Sequence, residues 1–143
     1  MFSSAKKFQN LRIIGGNSHP ELAEKIASYL GVNLTERTLD QFANSEIRCK
    51  IGSGPDNNLR ERDVVIFQTG CSQGEKSVND YLMETFILID ACKRSGAKQI
   101  IVVLANYPYA REDKKIDSRT PISAKLIADL LEVACKGVPL RVH

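Results

Sequence analysis

Residues 100–125 read IIVVLANYPYAREDKKIDSRTPISAK, and the order of their parts decides the fold. Ile100-Ile101-Val102-Val103-Leu104 is an uninterrupted apolar run of strand length, which predicts a buried strand. Thr120-Pro121 reads as a helix start, because proline fits the first helical turn. Between them, the polar stretch Asn106 to Lys125 carries Arg111, Lys114, Lys115 and Arg119. The loop therefore joins the carboxyl end of a strand to a helix N-terminus, where ligands bind in open α/β sheets. With Lys125, five cations outnumber Glu112, Asp113 and Asp117 by two, a large share of the net charge of +3. The plain alternative is a solvated surface loop closed by its own salt bridges.

Outward from this unit, the same alternation repeats. Leu11 to Ile14 predicts a short strand ending at Gly15-Gly16. Ser18-x-x-Glu21 has the capping-box spacing, and Pro20 suits the first turn. Leu22, Ala23, Ile26, Ala27 and Leu30 then share one helical face, with Gly31 placed to stop the helix. Val32 to Leu39 reads as a second strand. Ile47, Cys49 and Ile51 alternate with Arg48 and Lys50, the period of a strand with one wet face. GSGPDNN at 52–58 is a loop by composition. Val64 to Phe67 predicts a buried strand ending in Gln68-Thr69-Gly70. Asn79 to Ser95 predicts a helix with Gly96 behind it, and a last helix runs from Pro121 to about Ala134. Continuous apolar strands between helices predict an α/β fold, a mostly parallel sheet flanked by helices on both faces. One domain over 1–134 is expected. Residues 135–143 (CKGVPLRVH) read as a tail where the pattern calls for another strand.

At 143 residues, 43% hydrophobic and 26% charged, the composition is that of a globular domain. The net charge is too small to argue for a nucleic-acid or membrane partner, and neither is predicted. Cys49, Cys71, Cys92 and Cys135 show no C-x-x-C spacing, which predicts reduced core thiols rather than disulfides or zinc. His19 and His143 lie far apart, so no metal cluster is predicted. Residues 1–10 contain Lys6 and Lys7 without an apolar segment behind them, and apolar runs are strand-length. A cytoplasmic location is expected.

Two clusters bear on function. Phe42-Ala43-Asn44-Ser45-Glu46 combines an aromatic face, an amide and a carboxylate ahead of a strand. Such a trio can stack on a nucleobase and read its edge, although it also occurs in ordinary turns with the phenylalanine in the core. Arg111, Lys114, Lys115 and Arg119 suit charge-assisted bonds to phosphate oxygens. Together they suggest a nucleoside polyphosphate. The Gly15-Gly16-Asn17-Ser18 turn matches neither the dinucleotide nor the P-loop pattern and reads better as structural. His19 has no evident partner for catalysis.

The chain as a whole resembles the N-terminal half of the ribose-phosphate pyrophosphokinases. The resemblance rests on Ser18-His19-x-x-Leu22, Phe42-x-Asn44-x-Glu46, Leu59-Arg60-x-x-Asp63-Val64 and Asn79-Asp80-x-Leu82-Met83-Glu84. Its most specific motifs are Tyr109-Ala110-Arg111-x-Asp113-Lys114-Lys115 and Ser118-Arg119-x-Pro121-Ile122-Ser123-Ala124-Lys125. It implies a phosphoribosyltransferase-like domain of an enzyme that moves diphosphate from ATP, with Mg2+, to ribose 5-phosphate. It places Arg111, Glu112 and Asp113 at the ATP site, and Phe42, Asn44 and Glu46 in an adenine pocket reached across a subunit interface. Arg60, Lys114, Lys115 and Arg119 resemble residues near phosphate or regulatory nucleotide sites.

The departures are specific. Glu112 stands where glutamine is usual, which should weaken ATP binding unless Lys114 or Arg119 pairs with it. Ile116 stands where a polar residue is usual, and residues 73–77 look like a small insertion. The family's metal-binding Asp-Leu-His motif, basic catalytic loop and ribose 5-phosphate loop have no counterpart here. No catalytic residue or metal ligand is therefore expected in this stretch, and taken alone it is expected to be inactive. The other readings are a non-catalytic subunit that joins full-length pyrophosphokinase subunits and a phosphate- or nucleic-acid-binding module.

Overall fold

The computed structural model describes residues 8–143. Four strands form a parallel sheet in the order β1-β4-β5-β6: β1 (Leu11–Gly15), β4 (Asp63–Gln68), β5 (Gln99–Leu104) and β6 (Leu140–Val142). Between β1 and β4 the chain inserts helix α1 (Pro20–Leu30) and an antiparallel hairpin, β2 (Arg37–Gln41) and β3 (Ile47–Ile51). Helix α2 (Val78–Arg94) links β4 to β5, and α3 (Ser123–Ala134) links β5 to β6.

The sheet grows in two directions from β1. After α1, Leu34 bridges to Ile13 on the free edge of β1, with Thr35 N–H donating to the Ile13 carbonyl at 2.8 Å. β4, β5 and β6 follow on the other side. Right-handed crossovers then put α1 on one face and α2 with α3 on the other. Ile14, Val64, Ile66, Ile100, Val102 and Leu104 pack with Leu88, Ile89, Cys92, Ile127, Leu131 and Cys135 to make the core. Each such fully buried side chain contributes roughly 1.5–3 kcal/mol.

Several expectations change. Ser18 is not the cap of α1. His19 is, its Nδ1 accepting from Leu22 N–H at 3.3 Å, because the Ser18 hydroxyl is taken by partners fifty residues away. Val32 to Leu39 is not one strand; it divides between the Leu34 bridge and β2, which leaves the sheet to pair with β3. The last helix starts at Ser123, not Pro121. Residues 135–143, read as a tail, make the strand the pattern calls for: Ile100 N–H donates to Pro139 and His143 N–H to Val102, each at 2.9 Å. The sheet is also less fully covered than expected. Ile101 and Val103, on the face opposite α2 and α3, are only half-buried, since among the described residues α1 is the single helix on that side.

All four thiols are free, and Cys92 and Cys135 are buried as expected. Burial pushes the Cys92 thiol far above its ordinary range, which keeps it inert. Cys71 is the exception to the core reading, because it is exposed.

Candidate functional site

The direction in which strands are added reverses between β1 and β4, from the Leu34 bridge on one side of β1 to β4 on the other, the usual position of a ligand crevice in an open α/β sheet. Here the protein's own side chains fill that crevice. Glu84 of α2, only 2% exposed, accepts from Asn17 N–H at 2.7 Å, Asn17 Nδ2 at 3.0 Å and Gln68 Nε2 at 2.8 Å. Gln68 Oε1 accepts from Ser18 N–H at 3.0 Å and from the Ser18 hydroxyl. Ser18 Oγ in turn accepts from Thr69 N–H at 2.7 Å. Arg37 ties in the other side, donating to the Gly15 carbonyl at 2.8 Å and Asn17 Oδ1 at 2.9 Å. The backbone donors of the Gly15–Ser18 turn are thus consumed internally. A methyl group on Gly16 would lie 2.3 Å from Gln68 Oε1. The turn is structural, as its sequence suggests.

The polar loop singled out in the sequence lies one strand further on, after β5. Gly70 N–H donates to the Asn106 carbonyl at 2.8 Å, Pro108 is buried, and Tyr107 donates its hydroxyl to the Ala124 carbonyl at 3.0 Å. Tyr109, at φ +61°, donates its hydroxyl to Asn79 Oδ1 at the start of α2. These anchors fix both ends of the loop. Its acids complete the closure. The Glu112 carbonyl accepts from Ala124 N–H at 3.1 Å, and its carboxylate accepts from the Ser123 hydroxyl. Ile122, the N-cap of α3, offers no side-chain cap, so Glu112 supplies a distant one and sets negative charge at a helix N-terminus. Asp117 and Thr120 close a second turn, Thr120 Oγ1 donating to the Asp117 carbonyl at 2.9 Å.

Among the described residues the loop is not closed by salt bridges of its own, so that part of the plain alternative does not hold. Arg111, Lys114, Lys115 and Arg119 are exposed and form no hydrogen bond or ion pair with any described residue. Lys125 pairs with Asp129 at 2.8 Å instead. Glu112 does not pair with Lys114 or Arg119; Ser123 and the helix end satisfy it. Asp113 is exposed and has no partner among the described residues. Ile116, 81% exposed, stands among these charges.

Phe42, Asn44 and Glu46 lie in the β2–β3 turn rather than ahead of an isolated strand. Phe42 N–H donates to the Glu46 carbonyl at 2.8 Å and Ser45 N–H to the Phe42 carbonyl at 2.9 Å, with Ser45 at φ +69°. Asn44 Oδ1 accepts from Glu46 N–H at 3.2 Å. Phe42 is 51% exposed, so the core alternative for it fails. Within one chain, the turn and the cationic loop share no hydrogen bond or ion pair among the described residues. Arg60 precedes β4, where its neighbour Glu61 donates to Gly96. That is the amino end of the sheet, so the structure separates Arg60 from Lys114, Lys115 and Arg119.

Sequence reasoning named Gln68 only as a strand end and Glu84 only as part of a motif and missed their pairing, although a polar residue inside an apolar helix and another at the end of a buried strand were its signal. It also passed over Asp40 and Arg48, which pair across the hairpin. Among the described residues, no three of His, Cys, Asp and Glu gather where they could hold a metal ion. With Glu112 engaged and Asp113 standing alone, the loop does not fit a resident magnesium site. No described helix is long and apolar enough to cross a membrane.

Comparison with known proteins agrees with this architecture. Residues 11–135 match the model of the N-terminal domain of ribose phosphate pyrophosphokinase. The chain is 48% identical over 125 residues to ribose-phosphate pyrophosphokinase 4 of Saccharomyces cerevisiae, covering 87% of this chain and 36% of the yeast protein. It is 41% identical over 132 residues to the ribose-phosphate pyrophosphokinase of Oceanobacillus iheyensis, covering 92% and 39%. The crystal structure of phosphoribosylpyrophosphate synthetase from Mycobacterium smegmatis superposes with a TM-score of 0.79 at 36% identity, covering 94% of this chain and 48% of that one. The chain thus spans well under half the length of these curated relatives, and the match over residues 11–135 places it in the ribose phosphate pyrophosphokinase family, as an N-terminal domain.

Proposed function

We propose that this chain supplies the ATP side of a ribose-phosphate diphosphokinase. In that reaction the anomeric hydroxyl of ribose 5-phosphate attacks the β-phosphorus of ATP and the bond to the α-phosphate breaks. The products are phosphoribosyl diphosphate, for nucleotide biosynthesis, and AMP. Such a transfer depends on positioning and charge neutralisation rather than covalent chemistry by the protein. One observation carries the reading: the loop's acid Glu112 is spent on closing the loop, while Arg111, Lys114, Lys115 and Arg119 stay unpaired among the described residues. The result is a preformed cationic surface that receives a polyphosphate without first breaking its own ion pairs. Arg111 supplies a planar fork for phosphate oxygens, and Asp113 stands beside it. Magnesium enters with ATP as part of the substrate. Phe42, Asn44 and Glu46 receive the adenine, and since the turn shares no hydrogen bond or ion pair with the loop of its own chain among the described residues, the reading has the two meet across a subunit interface. A cytoplasmic location suits this chemistry.

Calorimetric titration with ATP and magnesium tests the loop. Arg111→Ala is expected to weaken binding by about tenfold or more, the equivalent of one charged hydrogen bond; unchanged affinity would remove the loop from the site. With ribose 5-phosphate added, this stretch of chain alone is expected to form no phosphoribosyl diphosphate above background. Sustained product formation would overturn the division into an ATP side and a separate sugar side.

A second reading, a non-catalytic subunit that assembles with full-length pyrophosphokinases, is favoured by the outer side of α3. Leu126, Leu130 and Val133 recur there at helical spacing and are all exposed. Both readings require association. Light scattering is expected to give a particle larger than the 15.9 kDa chain; a monodisperse monomer at micromolar concentration counts against both.

A further inference from the structure

We infer that Asp40 and Arg48 form a positioning device for Phe42, covering one face of its ring and presenting the other to a nucleobase. The inference rests on the ATP reading above and assigns two residues outside the Phe42, Asn44 and Glu46 trio. Asp40 and Arg48 are direct cross-strand partners in the β2–β3 register. Arg48 Nε donates to Asp40 Oδ1 at 2.7 Å and its terminal nitrogen to Oδ2 at 2.5 Å, a two-point fork. The guanidinium carbon lies over the Phe42 ring, 5.4 Å from its centroid, within cation–π range.

An exposed ion pair by itself contributes little. This one differs in what it holds. Side chains alternate along a strand, so Asp40 and Phe42 fall on the same side of the hairpin, opposite the side on which Leu39, the residue before Asp40, is buried. A bidentate fork fixes the plane of the guanidinium as well as its distance. A ring at the tip of a two-stranded hairpin would otherwise turn freely, and ordering it would oppose binding. Arg48 removes that freedom beforehand and shields one face, which leaves a single face for stacking. The hydrogen bonds from Arg48 also hold the Asp40 carboxyl below its usual range, so the clamp is intact at neutral pH.

The experiment compares the whole chain with Arg48→Gln, Arg48→Lys and Phe42→Ala, using ATP with magnesium as the probe and NMR of the Phe42 ring as a second readout. Both Arg48 and Phe42 are exposed, so the variants are expected to fold. Arg48→Gln is expected to weaken ATP binding about fivefold and to move the ring resonances of the free protein towards those of a mobile phenylalanine. Arg48→Lys, which keeps the charge but loses the fork, is expected to lie between. Unchanged ring resonances in free Arg48→Gln overturn the inference whether or not ATP binds. Full ATP affinity in Arg48→Gln beside lost affinity in Phe42→Ala overturns the inference and leaves the ATP reading standing. Unchanged affinity in Phe42→Ala, or no ATP binding by the wild-type chain, removes the nucleobase from the hairpin and overturns both.

Discussion

Glu84→Ala is expected to lower the free energy of unfolding by about 3–5 kcal/mol, the sum left after partial relaxation when buried donors lose their acceptor at about 1–3 kcal/mol each. The donors are Asn17 N–H, Asn17 Nδ2 and Gln68 Nε2, all held by one carboxyl group that is almost fully buried. For a domain of this size the loss corresponds to a melting temperature lower by about 10 °C, measured by circular dichroism. Glu84→Gln keeps the shape but turns an amide donor towards groups that already donate. An intermediate loss of about 1–2 kcal/mol is expected from it. A Glu84→Ala protein melting within a few degrees of wild type would show that water replaces the carboxyl, and that the filled crevice is not what joins β1, β4 and α2.

Gly70→Ala has the second large effect and reaches the proposed ATP loop. A methyl group there would lie 2.2 Å from the Asn106 carbonyl and 2.8 Å from the Pro108 nitrogen. Both are backbone atoms that cannot swing aside. The bond from Gly70 N–H to Asn106 must open, and residues 106–111 move with it. Overpacking of this kind costs about 1–3 kcal/mol, and a displacement near 1 Å can reduce a positioned interaction by about 100-fold. ATP affinity is therefore expected to fall by at least about tenfold while circular dichroism reports a folded protein. Gly31→Ala is the matched control. Gly31 ends α1 at φ +68° with open space around it, so the same methyl costs only its left-handed conformation, about 1–2 kcal/mol. If Gly70→Ala binds ATP as wild type does, the anchoring of the loop to β4 has no bearing on the site.

Much of the fold was legible in the sequence where one short-range period dominates. Ile47, Cys49 and Ile51 alternate, and β3 is Ile47–Ile51. Val64 to Phe67 and Ile100 to Leu104 are continuous apolar runs, and both lie in central strands. The cationic loop was also placed correctly between β5 and the next helix, because its position follows from the order of those elements. The errors arose where a residue had both a local and a distant partner. Ser18 has capping spacing, yet Gln68 and Thr69 outbid the helix for its hydroxyl, and His19 takes the cap. Leu140 to Val142 looked irregular because three residues at an edge carry too little pattern to identify a strand.

For the candidate site the division is sharper. The sequence by itself determined which charges the loop carries and that they follow a buried strand, since composition and element order are local properties. Only the tertiary structure decided which charges remain available. Glu112 accepts from Ser123 at the start of α3, Lys125 pairs with Asp129 and Arg48 with Asp40, whereas Arg111, Lys114, Lys115 and Arg119 keep no partner among the described residues. The physical reason is range. A hydrogen bond or ion pair forms only within a few ångströms, and the chain distances that bring these groups together, from four residues to eleven, are set by where the helices and the hairpin turn back.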